Sequence, residues 1–525
     1  MRTTNSMKNI ATGWGFSLVT TVTGFVSRTV FIAVLGKTFL GLSGLFANVL
    51  TMLSLSELGF GTAMVFALYK PLADHDTETV KALMRFYERA YRIIGIVVAA
   101  LGVVMVPFLP LLIKEHDSIY SLYWIYGIYV FNSAYTYFFS YKRALMSANQ
   151  KGYHITLITT VTKLLTNGLQ IAVLLGMRFA LRGDAANLGH MQSMVFIAYL
   201  LTQTAVSIGE NLYVNAFIDR RNPFLRQRDA KPLAPDTHRS IIKNVQALVY
   251  HKLGDFCMYA TDNMIVSVFL NLQYVGMLNN YVMITATLSG LVANLFNGLS
   301  ASLGNLVAKE NEEKRLRVFD VMLFVSTWVY GAISVALLCL LTPMVNLWLG
   351  PHYLLGRLAV AVMAVNFYLT GLRIPFLTIK NAAGIYRQDR FVPVVQSVLN
   401  IVLSIVLAGP LGVAGVLLGT AISNLSLSMW YRPILVYRLV FGRSAAEYFR
   451  KTILGSLLVL FWAAACFWAC QQFRLENVWL DFLARFAIAT LPPNALALAL
   501  FRRQPEFLAA RELVVGVFAR RGRRP

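Results

Sequence analysis

The chain has 525 residues, of which 57% are hydrophobic and only 14% are charged, and its mean hydropathy is +0.60. A soluble protein carries about a quarter charged residues, so this composition excludes a soluble globular chain. The formal net charge of +23 would indicate a nucleic-acid partner in a soluble protein, but in a membrane protein the placement of the charges reports orientation instead.

The apolar residues occur in runs of roughly 18–30 residues, the length at which an α-helix crosses the hydrocarbon core of a bilayer. Lipid offers no partner to an unpaired backbone group, so spans must be helices or a closed barrel, and the alternation of barrel strands is absent. The sequence therefore predicts an all-α integral membrane protein with about 14 transmembrane helices. These cover 10–35, 39–68, 90–113, 118–139, 153–177, 189–217, 245–270, 273–307, 318–349, 357–380, 391–409, 411–437, 452–472 and 479–501.

Two boundaries have local markers. Gly36-Lys37 is predicted to end the first span, and Gly409-Pro410 to separate the eleventh from the twelfth. The four cysteines lie in apolar segments without metal-ligand spacing. Cys466 and Cys470, four residues apart, are predicted to share one helix face as small packing residues.

Lysine and arginine concentrate in alternate loops. With the N-terminus inside, the inner segments hold 36 of the 47 basic residues, the outer loops hold six, and five lie within spans. This bias predicts that both termini of this multi-pass membrane protein are cytoplasmic. The basic tail 502–525 is expected to lie on the inner surface of the membrane.

The two halves of the chain resemble each other. Residues 34–41 align with residues 269–276 at an offset of 235, and six spans separate the copies, which gives them the same orientation. Parallel repeats of this kind occur in transporters that work by alternating access. We predict a six-helix bundle at 1–217, a cytoplasmic linker at 218–244, a second bundle at 245–440, and two extra helices with a basic tail at 441–525.

Charged groups inside spans are costly and usually face a lumen or a partner. In the seventh span, Lys252, Asp255, Tyr259 and Asp262 lie on one helix face. We interpret this stripe as lumen-facing, with simple pairing of Lys252 and Asp255 as the alternative. Arg28 corresponds to Asn263 in the repeat, which suggests an Arg28–Asp262 pair that forms and breaks as a gate.

Three further charges lie within spans. Lys163 is near the middle of the fifth span, too deep for easy snorkelling. Glu57 in the second span suits proton or sodium coupling, or a structural hydrogen bond to a neighbouring helix. Arg373 lies one to two turns from the inner end of the tenth span, where it can reach a cavity or snorkel.

Cations outnumber carboxylates among the intramembrane groups that we selected. A cavity with fixed cations suits an anionic substrate such as a diphosphate. We therefore predict two sets of residues. The substrate-binding set is Arg28, Lys163, Lys252 and Arg373, and the ion-coupling or gating set is Glu57, Asp255 and Asp262.

Several short motifs resemble those of the polysaccharide-transport flippases, which belong to the same superfamily as the toxic-compound exporters and the lipid II flippases. The likeness covers most of residues 8–440 and weakens in the last two spans. The motifs are Ser27-Arg28, residues 55–61, residues 251–254, residues 261–263, Val275-Gly276, residues 279–281, residues 304–306, residues 348–350 and residues 371–375.

The resemblance implies two six-helix bundles around a cationic cavity and two extra C-terminal helices. It also implies movement of an undecaprenyl-diphosphate-linked oligosaccharide from the inner to the outer leaflet of the bacterial cytoplasmic (plasma) membrane. It carries over Arg28, Lys252 and Arg373 as cavity cations. Glu57 and Asp262 match motif positions. It also implies coupling to an ion gradient (H⁺ or Na⁺) or to the membrane potential, with no other cofactor. The expected partners are the lipid-linked oligosaccharide, membrane lipids, and polysaccharide polymerase or glycosyltransferase machinery, with no nucleic acid.

Three alternatives stay open. A flippase for lipid II or teichoic-acid precursors has the same architecture. A drug/cation antiporter calls for 12 spans and an acidic lumen. A membrane polymerase or ligase needs a large outer loop with catalytic Arg and His, and the outer loops here are short, so we expect no enzyme activity.

Overall fold

The computed structural model describes residues 2–53, 60–113, 119–149, 151–178, 188–226, 233, 235, 239, 241–242, 261–309, 312–383, 385, 388–389, 391–473 and 475–519. Within these ranges every regular element is a helix, which confirms the predicted all-α class. The chain forms two compact units, residues 1–276 and residues 277–525.

The first unit is a bundle in which α1 packs against α5, α3 against α4, and α6 against both α4 and α5. A 3₁₀ turn and a single helical turn extend α3 to Leu112. The helices are α1 (Arg2–Leu53), α2 (Phe60–Ala73), α3 (Thr77–Met105), α4 (Leu122–Ala148), α5 (Gly152–Arg178), α6 (Leu188–Arg221), α7 (Thr261–Phe269) and the first turn of α8 (Leu272–Lys309).

The second unit is built on α9, which packs against α10 on one side and the last three helices on the other, while α11 and α12 form a tight pair. A π-helical turn at Asn424–Ser428 interrupts α12. The helices are the rest of α8, then α9 (Glu312–Leu349), α10 (Arg357–Ala382), α11 (Val392–Leu411), α12 (Val413–Val440), α13 (Ala446–Gln472), α14 (Val478–Phe501) and α15 (Pro505–Ala519).

Eleven stretches of the described residues are long and apolar enough to cross a membrane. They account for eleven of the predicted spans. The second predicted span, 39–68, begins in the part of α1 that follows Gly36 and ends in α2, and residues 54–59 lie outside the described residues. The fourth corresponds to α4, a 27-residue helix whose many polar and tyrosine residues lower its mean hydropathy. The seventh falls mostly outside the described residues.

Glycines set two of the span boundaries. Gly36 has φ 76° and ψ −172°, so α1 breaks where the sequence predicted the end of the first span. The predicted boundary at Gly409-Pro410 is three residues early. Pro410 sits in the last turn of α11, and the chain reverses at Gly412, where φ is 59°.

The N-terminal half of α3 begins well before the predicted third span. Asp76 caps the helix because its carboxylate accepts hydrogen bonds from the Thr79 backbone N–H at 2.9 Å and the Thr79 hydroxyl at 2.5 Å. These hydrogen bonds stabilise the ionised form and lower the pKa of Asp76. The early turns carry charges that place them outside the hydrocarbon core.

Repeat-equivalent residues meet at a close helix crossing in the first unit. A Cβ added to Gly41 would lie 1.9 Å from the Leu272 carbonyl oxygen, and one added to Gly276 would lie 2.3 Å from the Lys37 carbonyl oxygen. The offset of 235 converts Gly41 into Gly276 and Lys37 into Leu272. The two contacts are therefore reciprocal, which supports the aligned repeat.

The cysteines of the second unit are packing residues, as predicted. Cys339 on α9 and Cys466 and Cys470 on α13 are buried, free, and clustered with Val335 and Ala489. This cluster joins α13 and α14 to the rest of the unit. Cys257 lies outside the described residues.

Candidate functional site

The structure describes four of the seven predicted site residues. Arg28, Lys163 and Asp262 lie in the first unit and Arg373 lies in the second. The other three predicted site residues, Glu57, Lys252 and Asp255, lie outside the described residues.

Lys163 is exposed on a polar face of α5. At about 100° per residue, the strongly exposed apolar residues Val161 and Leu165 lie about 160° away from it. Apolar side chains exposed on a membrane helix face lipid, so Lys163 points away from lipid. The polar side chains within about 60° of Lys163 are Thr156, Thr159, Thr160, Thr166, Asn167 and Gln170.

This polar face packs toward α1 and α6. The Asn167 side-chain amide donates to the Thr23 hydroxyl on α1 at 3.4 Å. The Gln170 amide donates to the Gln203 side-chain oxygen and to the Tyr199 carbonyl on α6, both at 3.4 Å. A band of uncharged hydrogen-bonding groups therefore lies beside Lys163.

Arg28 lies half-buried in an aromatic setting on α1. Its guanidinium is near the hydroxyls of Tyr129 on α4 and Tyr199 on α6. The Tyr129 hydroxyl donates to Ser43 Oγ at 2.8 Å, and the Tyr199 ring packs edge-on against Phe31 at 5.1 Å between centroids. These contacts hold the two tyrosine hydroxyls close to a fixed cation.

Asp262 is in the first turn of α7, a helix that packs against α1. The neighbouring Asn263, which is the repeat equivalent of Arg28, is buried. Ser267 anchors the same helix by donating to the Leu112 carbonyl at the end of the α3 extension, at 2.6 Å. The predicted gate partners therefore lie on two helices in contact.

Sequence reasoning missed an intramembrane carboxylate in the first unit. Glu210 on α6 accepts hydrogen bonds from Arg143 at 2.9 Å and from the hydroxyls of Thr162 and Thr159 at 2.8 and 3.1 Å. Arg143 also donates to Asn211 Oδ1 at 2.9 Å. The available signal was a lone acid inside the sixth predicted span.

In the second unit, Arg373 belongs to a buried polar network at the π-helical turn of α12. Arg373 is 6% exposed, and its guanidinium donates to Asn424 Oδ1 at 3.1 Å. The Gln396 amide of α11 donates to the same oxygen at 2.8 Å. The Asn424 amide donates to the Thr420 carbonyl at 3.0 Å. Local π-helical turns recur at functional sites in membrane and soluble proteins.

A second buried network lies about two helical turns beyond the first. The carboxylate of Asp389, which is fully buried, pairs with Lys380 of α10 and with Arg432 of α12. Arg432 also donates to Ser428 Oγ, the last residue of the π-helical turn, at 2.6 Å. The seam through α10, α11 and α12 is thus closed and positively charged, whereas Lys163 on α5 is exposed.

Several solved structures share this architecture. A lipid II flippase, MurJ, in an inward closed conformation matches with a TM-score of 0.65 and 13% identity over 93% of this chain and 98% of that chain. An inward-facing multidrug resistance MATE family transporter of the MOP superfamily matches with a TM-score of 0.61 and 14% identity over 80% and 95%. A mutant of the Vibrio cholerae MATE transporter VcmN matches with a TM-score of 0.52 and 12% identity over 84% and 99%.

The chain has the fold of the MATE and MurJ transporters. No protein-family model and no curated protein matches the sequence. The structural neighbours are transporters rather than enzymes, and the many apolar helices make this chain a multi-pass membrane protein.

Proposed function

We propose that the protein is a flippase that moves an undecaprenyl-diphosphate-linked oligosaccharide from the inner to the outer leaflet of the bacterial cytoplasmic membrane, for cell-surface polysaccharide synthesis. It works as a transporter rather than an enzyme, by alternating access coupled to H⁺ or Na⁺ or driven by the membrane potential. Both termini are cytoplasmic in this proposal, as the basic inner loops favour.

The observation that carries the proposal is the exposed cation on the polar face of α5. Lys163 points away from the lipid-facing side of its helix, and the half-buried Arg28 lies on α1, which packs against α5. Fixed cations on a polar, lipid-shielded surface favour a diphosphate over a cationic drug. The Lys163 ammonium supplies a compact positive charge on a flexible side chain. The planar Arg28 guanidinium can donate two parallel hydrogen bonds to a phosphate.

The neutral groups beside these cations suit the sugar portion of the substrate. Asn167 and Gln203 offer both donors and acceptors, and the Tyr199 ring offers an apolar face. A glycan presents hydroxyls and apolar ring faces in turn. The band therefore matches the chemistry of an oligosaccharide better than that of a small apolar cation.

We propose that the remaining predicted residues act in the same transport cycle. Lys252 adds a cation, and Glu57, Asp255 and Asp262 serve coupling or gating. Arg373 contacts Asn424 in a buried network, so an anion reaches its guanidinium only when α10 and α12 separate. The proposed partners are the lipid-linked oligosaccharide, membrane lipids, and polymerase or glycosyltransferase machinery.

Flipping of a fluorescent undecaprenyl-diphosphate oligosaccharide in proteoliposomes tests this proposal. A membrane-impermeant quencher reports how much substrate has crossed the bilayer. We expect Lys163→Ala to slow flipping about tenfold, because a charge-assisted contact is worth about 1.5–3 kcal/mol. Lys163→Arg should retain most of the rate.

The matched control is Arg92→Ala, which removes the same charge from an exposed surface pair with Glu88. It should flip at the wild-type rate. Wild-type protein that is folded but moves none of several glycan-bearing lipids would exclude the proposal. Equal rates for Lys163→Ala and Arg92→Ala would exclude the polar face of α5 as the binding surface.

Lipid II is a second candidate substrate because the MurJ structure matches 93% of this chain. Its diphosphate would meet the same cations. Parallel assays with lipid II and with longer oligosaccharides decide between the two. A drug/cation antiporter is disfavoured by the exposed cation of α5, and uptake of small cations into the same liposomes would favour it.

A further inference from the structure

A cavity of about 760 Å³ opens within the second unit, away from the residues proposed above for substrate. It lies between α9, α13 and α14, and the beginning of α15 closes one end. Its walls combine a long apolar surface with a single charged end. A cavity with one charged end and a long apolar wall suits an amphiphilic ligand that has one polar head and one apolar chain.

The charged end is a cluster of three carboxylates around one ammonium. Lys451 Nζ lies 2.9 Å from Asp320 Oδ2, 3.1 Å from Glu447 Oε1 and 3.5 Å from Glu506 Oε1. The cluster therefore carries a net charge of −2. The other oxygen of Asp320 is buried and has no hydrogen-bond partner among the described residues.

The cluster lies at the level where helices enter the membrane. Glu447 is in the first turn of α13 and Glu506 is in the first turn of α15. Ends of transmembrane helices mark the interface between hydrocarbon and headgroups. A lipid bound in the cavity would thus have its headgroup at the depth at which headgroups normally lie.

The apolar part of the cavity has the length of one leaflet. Along α9 it runs from Leu323 to Val335, which is about 18 Å of helix. Half of a typical hydrocarbon core is about 15 Å. The indole N–H of Trp328 donates to Asn494 Oδ1 at 2.9 Å, so these two polar groups of the wall satisfy each other.

We propose that this cavity binds a membrane phospholipid with a primary amine headgroup, namely phosphatidylethanolamine. The ammonium group donates hydrogen bonds to the accessible carboxylates of Glu447 and Glu506. The phosphate lies toward Lys451, and one acyl chain follows the apolar wall of α9 and α13.

Charge excludes the other common occupants. An anionic phospholipid brings its headgroup to a cluster that already carries −2. A polyprenyl diphosphate brings more negative charge still, so the proposed transport substrate does not fit here. The site therefore binds a lipid of the surrounding membrane, and the inference stands independently of the proposed function.

Native mass spectrometry of the full-length, delipidated protein tests the proposal. The purified protein is titrated with phosphatidylethanolamine, phosphatidylcholine and phosphatidylglycerol that carry identical acyl chains. We expect the ethanolamine lipid to bind about tenfold more tightly than the other two. The choline headgroup keeps a positive charge but has no N–H to donate, and the glycerol headgroup leaves the lipid anionic.

Three variants locate the site. Glu447→Gln combined with Glu506→Gln should lose the preference for ethanolamine, because both changes neutralise the charged end. Glu312→Gln combined with Glu313→Gln removes the same charge from the first turn of α9, outside the cavity lining, and should retain the preference. Leu458→Trp fills the apolar wall and should weaken binding of all three lipids.

Equal binding of the three lipids by wild-type protein would overturn the proposal without any variant. An ethanolamine preference that survives in the Glu447/Glu506 variant would place the lipid elsewhere. Displacement of bound phosphatidylethanolamine by undecaprenyl phosphate at equal concentration would show that the cavity accepts a polyprenyl lipid, which also overturns the assignment. Each of these outcomes leaves the transport assay unaffected.

Discussion

At the scale of single residues, the least replaceable group in the second unit is the carboxylate of Asp389. It faces Lys380 and Arg432, and all three side chains are at most 3% exposed. A buried cation is costly unless it is paired, so one carboxylate stabilises two cations here. The network joins the loop after α10 to α12, and its removal should loosen both.

We predict that Asp389→Asn lowers the free energy of unfolding by about 3–5 kcal/mol, because it leaves two buried cations without their carboxylate. Denaturant titration in mild detergent measures the change. Glu88→Gln is the control, since it breaks an exposed i,i+4 pair with Arg92 and should cost at most about 1 kcal/mol. Equal costs for the two substitutions would contradict this account.

At the scale of helices, the reciprocal contact of Gly41 and Gly276 holds the second half of α1 against the start of α8. Each glycine lies against a backbone carbonyl of the opposite helix, so a side chain has no flexible neighbour to displace. Small residues permit this approach of helices in membranes. The repeat thus places a glycine at the point of closest approach on each of the two helices.

Substitution by alanine should have opposite effects at contacting and open glycines. Gly41→Ala and Gly276→Ala should each destabilise the protein by about 1–3 kcal/mol, because the helices must move apart. Gly168→Ala on α5 should be neutral or stabilise by up to about 1 kcal/mol, since nothing lies within 4 Å of its Cβ position and alanine favours helix. Thermal unfolding compares the three.

Amide hydrogen exchange shows which helices the glycine substitutions destabilise. In the Gly41→Ala and Gly276→Ala variants, exchange should increase at the start of α8 and in α1 after Gly36, and it should stay unchanged in α9. Uniform loosening of the whole chain, or the same change in Gly168→Ala, would argue against a local helix crossing.

At the scale of the whole molecule, the distribution of basic residues predicts the orientation of the chain in the membrane. The 27 residues of α13 span about 40 Å as a helix, so its two ends lie on opposite sides of the bilayer. The segment before α13 is rich in arginine, so the positive-inside rule predicts that it is cytoplasmic.

Single cysteines at the two ends of α13 test this orientation. In a cysteine-free background, Leu475→Cys should react with an impermeant maleimide on intact spheroplasts. Ser444→Cys should react only after permeabilisation. Both positions are exposed, so access depends on the side of the membrane. The reverse pattern would invert the topology and the direction of transport that we propose.

Local chemistry was sufficient to predict most of the helices. A span must hold about 20 apolar residues, and the bilayer imposes that length whatever the neighbouring helices are. The break at Gly36 was also predictable, because glycine tolerates its positive φ, and the repeat offset of 235 was visible before the structure showed Gly41 and Gly276 in reciprocal contact.

Tertiary packing decided which charges are exposed and which are buried in pairs. Arg143 and Glu210 are 67 residues apart, and Asp389 and Arg432 are 43 residues apart, so no local pattern could pair them. Hydropathy is calculated from one segment at a time. The burial of a charged side chain depends instead on which residues of a helix distant in sequence pack against it. The exposure of Lys163 therefore became evident only when α1 and α6 covered the rest of its polar face.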